Sequence, residues 1–143
     1  MYKKILVALE NSRSDRALLS HVAELARLHG SELLLMHVAD GFAARNYDTL
    51  KLAESDEMKG DRAYLDASAE ELRGNGLPVT TRLALGDPAT GILETTTSEK
   101  CDLIAMTTHG HRLLGDIIYG STINEVRHKA YVPVLLVRAH KEA

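Results

Sequence analysis

Two stretches of this chain are apolar at successive positions rather than at every second one: Ile5-Leu6-Val7-Ala8-Leu9 and Leu33-Leu34-Leu35-Met36, the latter running on through His37-Val38. A strand with one wet face alternates. A strand without alternation must be covered on both sides, and an open parallel sheet sandwiched between helices covers it. The stretches Asp102-Leu103-Ile104-Ala105-Met106 and Val132-Pro133-Val134-Leu135-Leu136-Val137 repeat the pattern near the other end of the chain.

The intervening segments have helical period. Leu18, Val22, Leu25 and Ala26 recur on one face, with the cap-type residues Asn11, Ser12 and Ser14 before them and Gly30 as a stop. From Asp48 to Arg73 the chain is rich in Ala, Glu, Leu and Lys, with Leu65, Ala69 and Leu72 on one face. This reads as a loop followed by a long amphipathic helix that Gly74-Asn75-Gly76 terminates. Leu77-Pro78-Val79 opens a third strand that runs through Leu85, and Thr80-Thr81-Arg82 make it polar enough for a sheet edge. Gly86-Asp87-Pro88 turns the chain into a helix carrying Ile92 and Leu93, and a last helix is expected to follow Gly120. Five strands alternating with four helices predict an α/β fold, a doubly wound, Rossmann-like parallel sheet with helices on both faces.

At 143 residues the chain suits one domain, 1–143. A formal net charge of −3 without a basic stripe argues against nucleic acid as a partner. The single cysteine, Cys101, excludes an internal disulfide, fits a reducing compartment and reads as a small buried hydrophobe. The apolar run after Lys3-Lys4 is too short for a secretion signal or membrane span, so a cytoplasmic location is expected.

In such sheets ligands bind beyond the carboxyl ends of the strands, where the strand order reverses. The residues there are Glu10 and Asn11, Ala39 and Asp40, Gly86 and Asp87, and the segment from Thr107 to Ser121. That segment sets glycines after a buried strand and Gly120-Ser121-Thr122 ahead of the expected helix. Glycines admit backbone N–H groups close to phosphate, and a helix N-terminus adds unpaired donors and partial positive charge. The local composition suits a capping box of Thr122 with Glu125 equally well.

The same segment resembles the nucleotide loop of the universal stress protein family, in which ATP-binding members read G-x-x-G, nine residues, then G-[S/T]. Gly110, nine intervening residues and Gly120-Ser121 match that spacing. Lys4 to Ala8, Asn11-Ser12, Leu35 to Val38, Gly86-Asp87-Pro88-Ala89 and Val132 to Val137 resemble further family segments in the same order. The resemblance implies an adenine nucleotide, ATP, with any Mg²⁺ held through its phosphates. It implies that adenine and ribose lie near Ala8, Leu9, Glu10 and the backbone of Val38. The phosphates would lie near Gly110, Gly120, Ser121 and Thr122, with His111 and Arg112 beside them and Met106 and Thr107 leading into the loop. It also implies a homodimer, for which the apolar strand Val132–Val137 is the expected edge.

Three positions depart from the family pattern. Thr107 stands at its first glycine, Glu10 at its aspartate and Asn11 at the following glycine. Asn tolerates a left-handed backbone better than most residues.

Other functions find less in the sequence. Glu10, Asp40 and Asp87 offer carboxylates for a metal in phosphoryl transfer, yet no Gly-Lys-Ser/Thr loop accompanies them, and Asp40 and Asp87 suit turns and caps. A dedicated catalyst is not expected, although slow hydrolysis is compatible with the pocket. A phosphorylated receiver would need paired acids after the first strand, where Asn11 follows Glu10. The histidines show no metal-ligand spacing with cysteine or carboxylate, and His37 reads as a buried strand residue.

Overall fold

The unalternating runs become central strands in a computed structural model of the chain, which describes residues 1–39, 56–108 and 114–139, with side chains at 1–39, 58–108 and 121–139. The element order is β1 (Lys4–Ala8), α1 (Asp15–His29), β2 (Glu32–Ala39), α2 (Asp56–Gly74), β3 (Val79–Leu85), α3 (Pro88–Ser98), β4 (Leu103–Thr108), α4 (Leu114–Lys129) and β5 (Val134–Arg138). The strands form one parallel sheet in the order β3-β2-β1-β4-β5. The polar β3 lies at one edge, as its threonines and Arg82 suggest, and β5 lies at the other.

The apolar runs lack alternation because each face has its own helices. Ile5, Val7, Leu33, Leu35, Leu103 and Ala105 pack under α1 and α2, against Leu18, Val22, Leu65 and Ala69. Leu6, Ala8, Leu34, Met36, Ile104 and Met106 face α3 and α4, against Ala89, Ile92, Ile123 and Val126. Burying a side chain of this size removes about 1.5–3 kcal/mol of unfavourable hydration, so the two layers fix the register of the inner strands.

Local signals set several boundaries. Gly30 ends α1 with φ of 66°, a left-handed conformation that costs glycine nothing. Asp87 caps α3, its carboxylate accepting from the Thr90 amide at 2.9 Å and the Thr90 hydroxyl at 2.8 Å, with Pro88 in the first turn. Other boundaries move, and β3 begins at Val79 rather than Leu77, since Pro78 has no N–H to donate and contributes only its carbonyl, to Leu33. β4 continues through Thr107 and Thr108 because β5 pairs with both. The closing strand begins at Val134 rather than Val132, since Pro133 has no N–H to donate and contributes only its carbonyl, to Ile104.

Helix α4 starts at Leu114, six residues before Gly120, which corrects the expectation of a helix beginning after that glycine. Leu114, Ile117 and Ile118 recur at helical spacing, and a glycine inside a helix costs only about 1 kcal/mol, too little to hold the start back. Thr122 therefore lies within the helix, and a capping box with Glu125 does not form there.

Candidate functional site

The chain runs outward from β1 through β2 to β3, then returns to place β4 on the other side of β1. At this reversal the sheet opens. The β1–β4 register ends at Val7 and Ala105, whereas β1 follows β2 to Ala8 and Met36 and donates the Leu9 amide to the Met36 carbonyl at 2.8 Å. β4 follows β5 to Thr108 and Arg138, and the Ala139 amide reaches the Thr108 carbonyl at 2.9 Å. The carboxyl ends of β1 and β4 thus belong to different halves of the sheet, the position at which doubly wound sheets form a ligand crevice.

One side of the crevice is built by a buried carboxylate. Asp15, the first residue of α1, is fully buried, and its Oδ1 accepts the Glu10 amide at 2.9 Å while Oδ2 accepts those of Asn11 at 2.8 Å and Ser12 at 3.2 Å. Burial pushes the Asp15 carboxyl above its ordinary value, and the backbone N–H bonds oppose that shift. Gathering the three amides bends the chain at Asn11, whose φ is 61°, in the left-handed region that asparagine tolerates. Ser14, at the N-cap position, makes no side-chain capping bond, so Asp15 takes that role from within the helix. Tyr64 of α2 closes the far side, donating its hydroxyl to the Ser12 carbonyl at 3.1 Å. Burial and the neighbouring Asp15 push that phenol up to about 12.

This arrangement bears on ligand polarity. In dinucleotide-binding sheets the amides after the first strand cradle phosphate. Here those of Glu10, Asn11 and Ser12 are committed to Asp15, and a second anion would meet a carboxylate rather than open donors.

Two polar atoms near this edge are left without partners. Among the described residues, the buried side-chain oxygens and nitrogens without a hydrogen-bond partner are Asn11 Oδ1 and Thr107 Oγ1. They belong to the ends of β1 and β4, the two strands that part. The Asn11 amide is oriented by its other end, since Nδ2 faces the Asp61 carbonyl at 3.2 Å and Asp61 Oδ1 at 3.1 Å, both acceptors only. An unmet buried polar atom costs about 1–3 kcal/mol, and functional sites are where such costs persist.

Ala8 and Leu9 are buried at the end of β1, and Glu10 is half-buried with its carboxylate 3.4 Å from the Ser12 hydroxyl. Met106 and Thr107 are fully buried in β4, on opposite faces of the sheet. Val38 lies in β2 with its side chain against α3, where a Cβ on Gly91 would come within 3.3 Å of Val38 Cγ2. Gly110, His111 and Arg112, and likewise Asp40, lie outside the described residues. Gly120 falls in α4, followed by an exposed Ser121 and a buried Thr122. Their amides sit beyond the first turn, so the donors left open by helix geometry belong to Leu114 and the residues just after it. Asp87 serves as the cap of α3, and Thr90 holds its carboxyl below the ordinary value. The sequence reading passed over Asp15, Asp61 and Tyr64. An acid in the first turn of α1 was a visible sign of Asp15, whereas nothing local marked the other two.

These features place a candidate site at the switch point of a doubly wound sheet, and the chain belongs to the universal stress protein family, whose sequence pattern matches residues 1–138. A universal stress protein of Thermus aquaticus, from the QAH/OAS sulfhydrylase 3' region, is 33% identical over 143 residues, covering 96% of this chain and 100% of the relative. Universal stress protein MJ0577 of Methanocaldococcus jannaschii is 28% identical over 155 residues, 96% of each chain. The solved structure of MJ0577 superposes with a TM-score of 0.78 and 28% identity, covering 100% of this chain and 99% of that one. A universal stress protein solved in complex with cAMP shares the fold at a TM-score of 0.71 and 16% identity, covering 97% and 98%. One from Archaeoglobus fulgidus, in complex with dAMP, does so at 0.70 and 21%, covering 95% and 98%.

Proposed function

We propose that this chain is a nucleotide-binding universal stress protein that holds ATP at the crevice between β1 and β4, with Mg²⁺ carried on the phosphates. The observation that carries the reading is the chemistry of the two strand ends. Unpartnered oxygens of Asn11 and Thr107 await N–H or O–H donors, as an adenine amino group or ribose hydroxyls supply, while the amides of the first turn are withdrawn from phosphate. Adenosine then lies against Ala8, Leu9, Glu10 and the Val38 backbone. The phosphates extend past Met106 and Thr107 toward Gly110, His111, Arg112, the start of α4 and the Ser121 hydroxyl. The cAMP and dAMP complexes of fold neighbours support an adenine ligand. The role is binding in a cytoplasmic stress response, with any hydrolysis slow. A homodimer across β5 is supported by the edge position of that strand and by exposed Leu136 and Tyr131 beside it.

The test is to quantify nucleotide released from purified, denatured protein and then titrate ATP, with and without Mg²⁺, into the nucleotide-free chain and its Thr107→Val variant. Valine keeps the shape of threonine and removes Oγ1, so folding stability should hold or rise while nucleotide binding weakens about tenfold, the worth of one hydrogen bond. Failure of intact wild-type protein to bind ATP at millimolar concentration would overturn the proposal in favour of a nucleotide-free dimeric module.

A further inference from the structure

His37 was expected as an ordinary strand residue, but its imidazole joins two elements that no backbone pairing connects. Nδ1 lies 2.9 Å from the Leu9 carbonyl, beyond the end of β1, and Nε2 lies 3.5 Å from Asp61 Oδ2 on α2. Both side chains are largely shielded, at 15% and 19% exposure. Asp61 is shared, because its other carboxylate oxygen and its backbone carbonyl receive the Asn11 amide.

The proton inventory at this junction is constrained. A carbonyl can only accept, so Nδ1 carries a hydrogen and donates it to Leu9. The neutral ring then turns a bare lone pair on Nε2 toward a carboxylate. Only the doubly protonated ring satisfies Leu9 and Asp61 together. Among the described residues, the titratable groups of the network are Asp61 and Tyr64 from α2, Asp15 from α1 and Glu10 in the turn, while β3 contributes apolar Leu83 as the register partner of His37.

We propose that His37 and Asp61 are positioning residues, a proton-dependent fastening that draws α2 against the Leu9-Glu10-Asn11 turn and sets the adenosine side of the crevice. Protonation of Nε2 tightens Asp61 against β2, and Asp61 in turn holds the Asn11 amide so that Oδ1 keeps its aim. Loss of that proton loosens the turn. The link to ligand rests on the nucleotide reading above, whereas the fastening is a property of the unliganded chain.

The experiment is nuclear magnetic resonance of nucleotide-free protein across the range of roughly pH 5 to 8, where histidines exchange a proton, with wild type, Asp61→Asn and His37→Asn. At high pH the His37 ring should be the Nδ1–H tautomer, and in wild type the Glu10 and Asn11 amide signals should follow its titration. In Asp61→Asn the Asn11 signal should cease to follow it. His37→Asn keeps a donor for Leu9 but removes the ring that titrates, so both amide signals should lose the component that follows the ring and keep only that of Asp15, which accepts both amides. An Nε2–H tautomer, or an Asn11 response unchanged in Asp61→Asn, would overturn the fastening. ATP affinity, measured in parallel, should fall about threefold to fivefold more from pH 6 to pH 8 in wild type than in Asp61→Asn, the range expected of a partly exposed ion pair. Comparing the variants with the same ATP cancels the nucleotide's own titration. Equal pH dependence would sever the fastening from the site and refute the positioning role. If wild type binds no ATP, the nucleotide reading fails by itself and the resonance measurements still decide the fastening.

Discussion

Replacing Asp15 by alanine removes the group that shapes one wall of the crevice. Its carboxylate accepts three backbone amides, at 2.9, 2.8 and 3.2 Å, while wholly shielded from water. Bonds to a charged acceptor contribute about 1.5–3 kcal/mol each, and the buried charge offsets several kcal/mol of that, leaving a net of about 2–3 kcal/mol. Urea unfolding followed by circular dichroism should show that loss, and the melting temperature should fall by about 6–10 °C for a chain of this size. Asp15→Asn keeps one accepting oxygen but turns an NH₂ toward the donors, so it should lose about half as much. The sign of the pH dependence follows from burial, which raises the carboxyl in the folded state above 3.8. The associated stability is complete below that value and is lost as pH rises through the higher folded one. The gap between wild type and Asp15→Asn should therefore be widest in acid and narrow above it. If Asp15→Ala unfolds within about 0.5 kcal/mol of wild type, the turn is held by something else.

Three further outcomes follow from single groups. Asp87→Ala should cost about 1 kcal/mol at neutral pH, the worth of a helix cap. Because the Asp87 carboxyl is held below 3.8 by Thr90, that advantage is present above 3.8 and should vanish in urea titrations as pH falls through the lower folded value. Cys101 is 5% exposed and burial pushes its thiol up to about 11. An aromatic disulfide reagent at pH 8 should modify it at least about 100-fold more slowly in the native protein than in urea. Tyr64 should ionise near 12, and Tyr64→Phe should remove that late step from the ultraviolet titration. Stability tied to this phenol is full below 10 and lost as pH rises through about 12.

The architecture was readable because burial on both faces leaves an imprint on consecutive residues. Ile5 to Leu9 and Leu103 to Met106 could hardly serve anywhere but in a covered sheet, and Thr80 to Arg82 announced an edge. Gly30, Asn11 and Asp87 were also legible, since each does something few residue types do well. The start of α4 was not, because Gly120-Ser121-Thr122 reads as a helix entry in isolation while the apolar spacing of Leu114, Ile117 and Ile118 carries the helix back past it. The switch point of the sheet was legible as a location, whereas the contacts built around it were not. His37 and Asp61 meet across 24 positions of sequence, and Asn11 and Asp61 across 50. Such contacts exist only once the helices have docked, and no local pattern encodes them.

The placement of β1 in the middle of the sheet has a consequence for synthesis. One flank of this strand is satisfied early, by Leu33 to Met36 of β2, but the other waits for Leu103 to Ala105 of β4. At translation rates of about 5–20 residues per second, β1 spends roughly 5–20 s with an apolar edge open on the ribosome. Nascent chains of this protein should be most prone to chaperone capture between completion of β3 and emergence of β4, and a stall in that interval is where misassembly between neighbouring chains would begin.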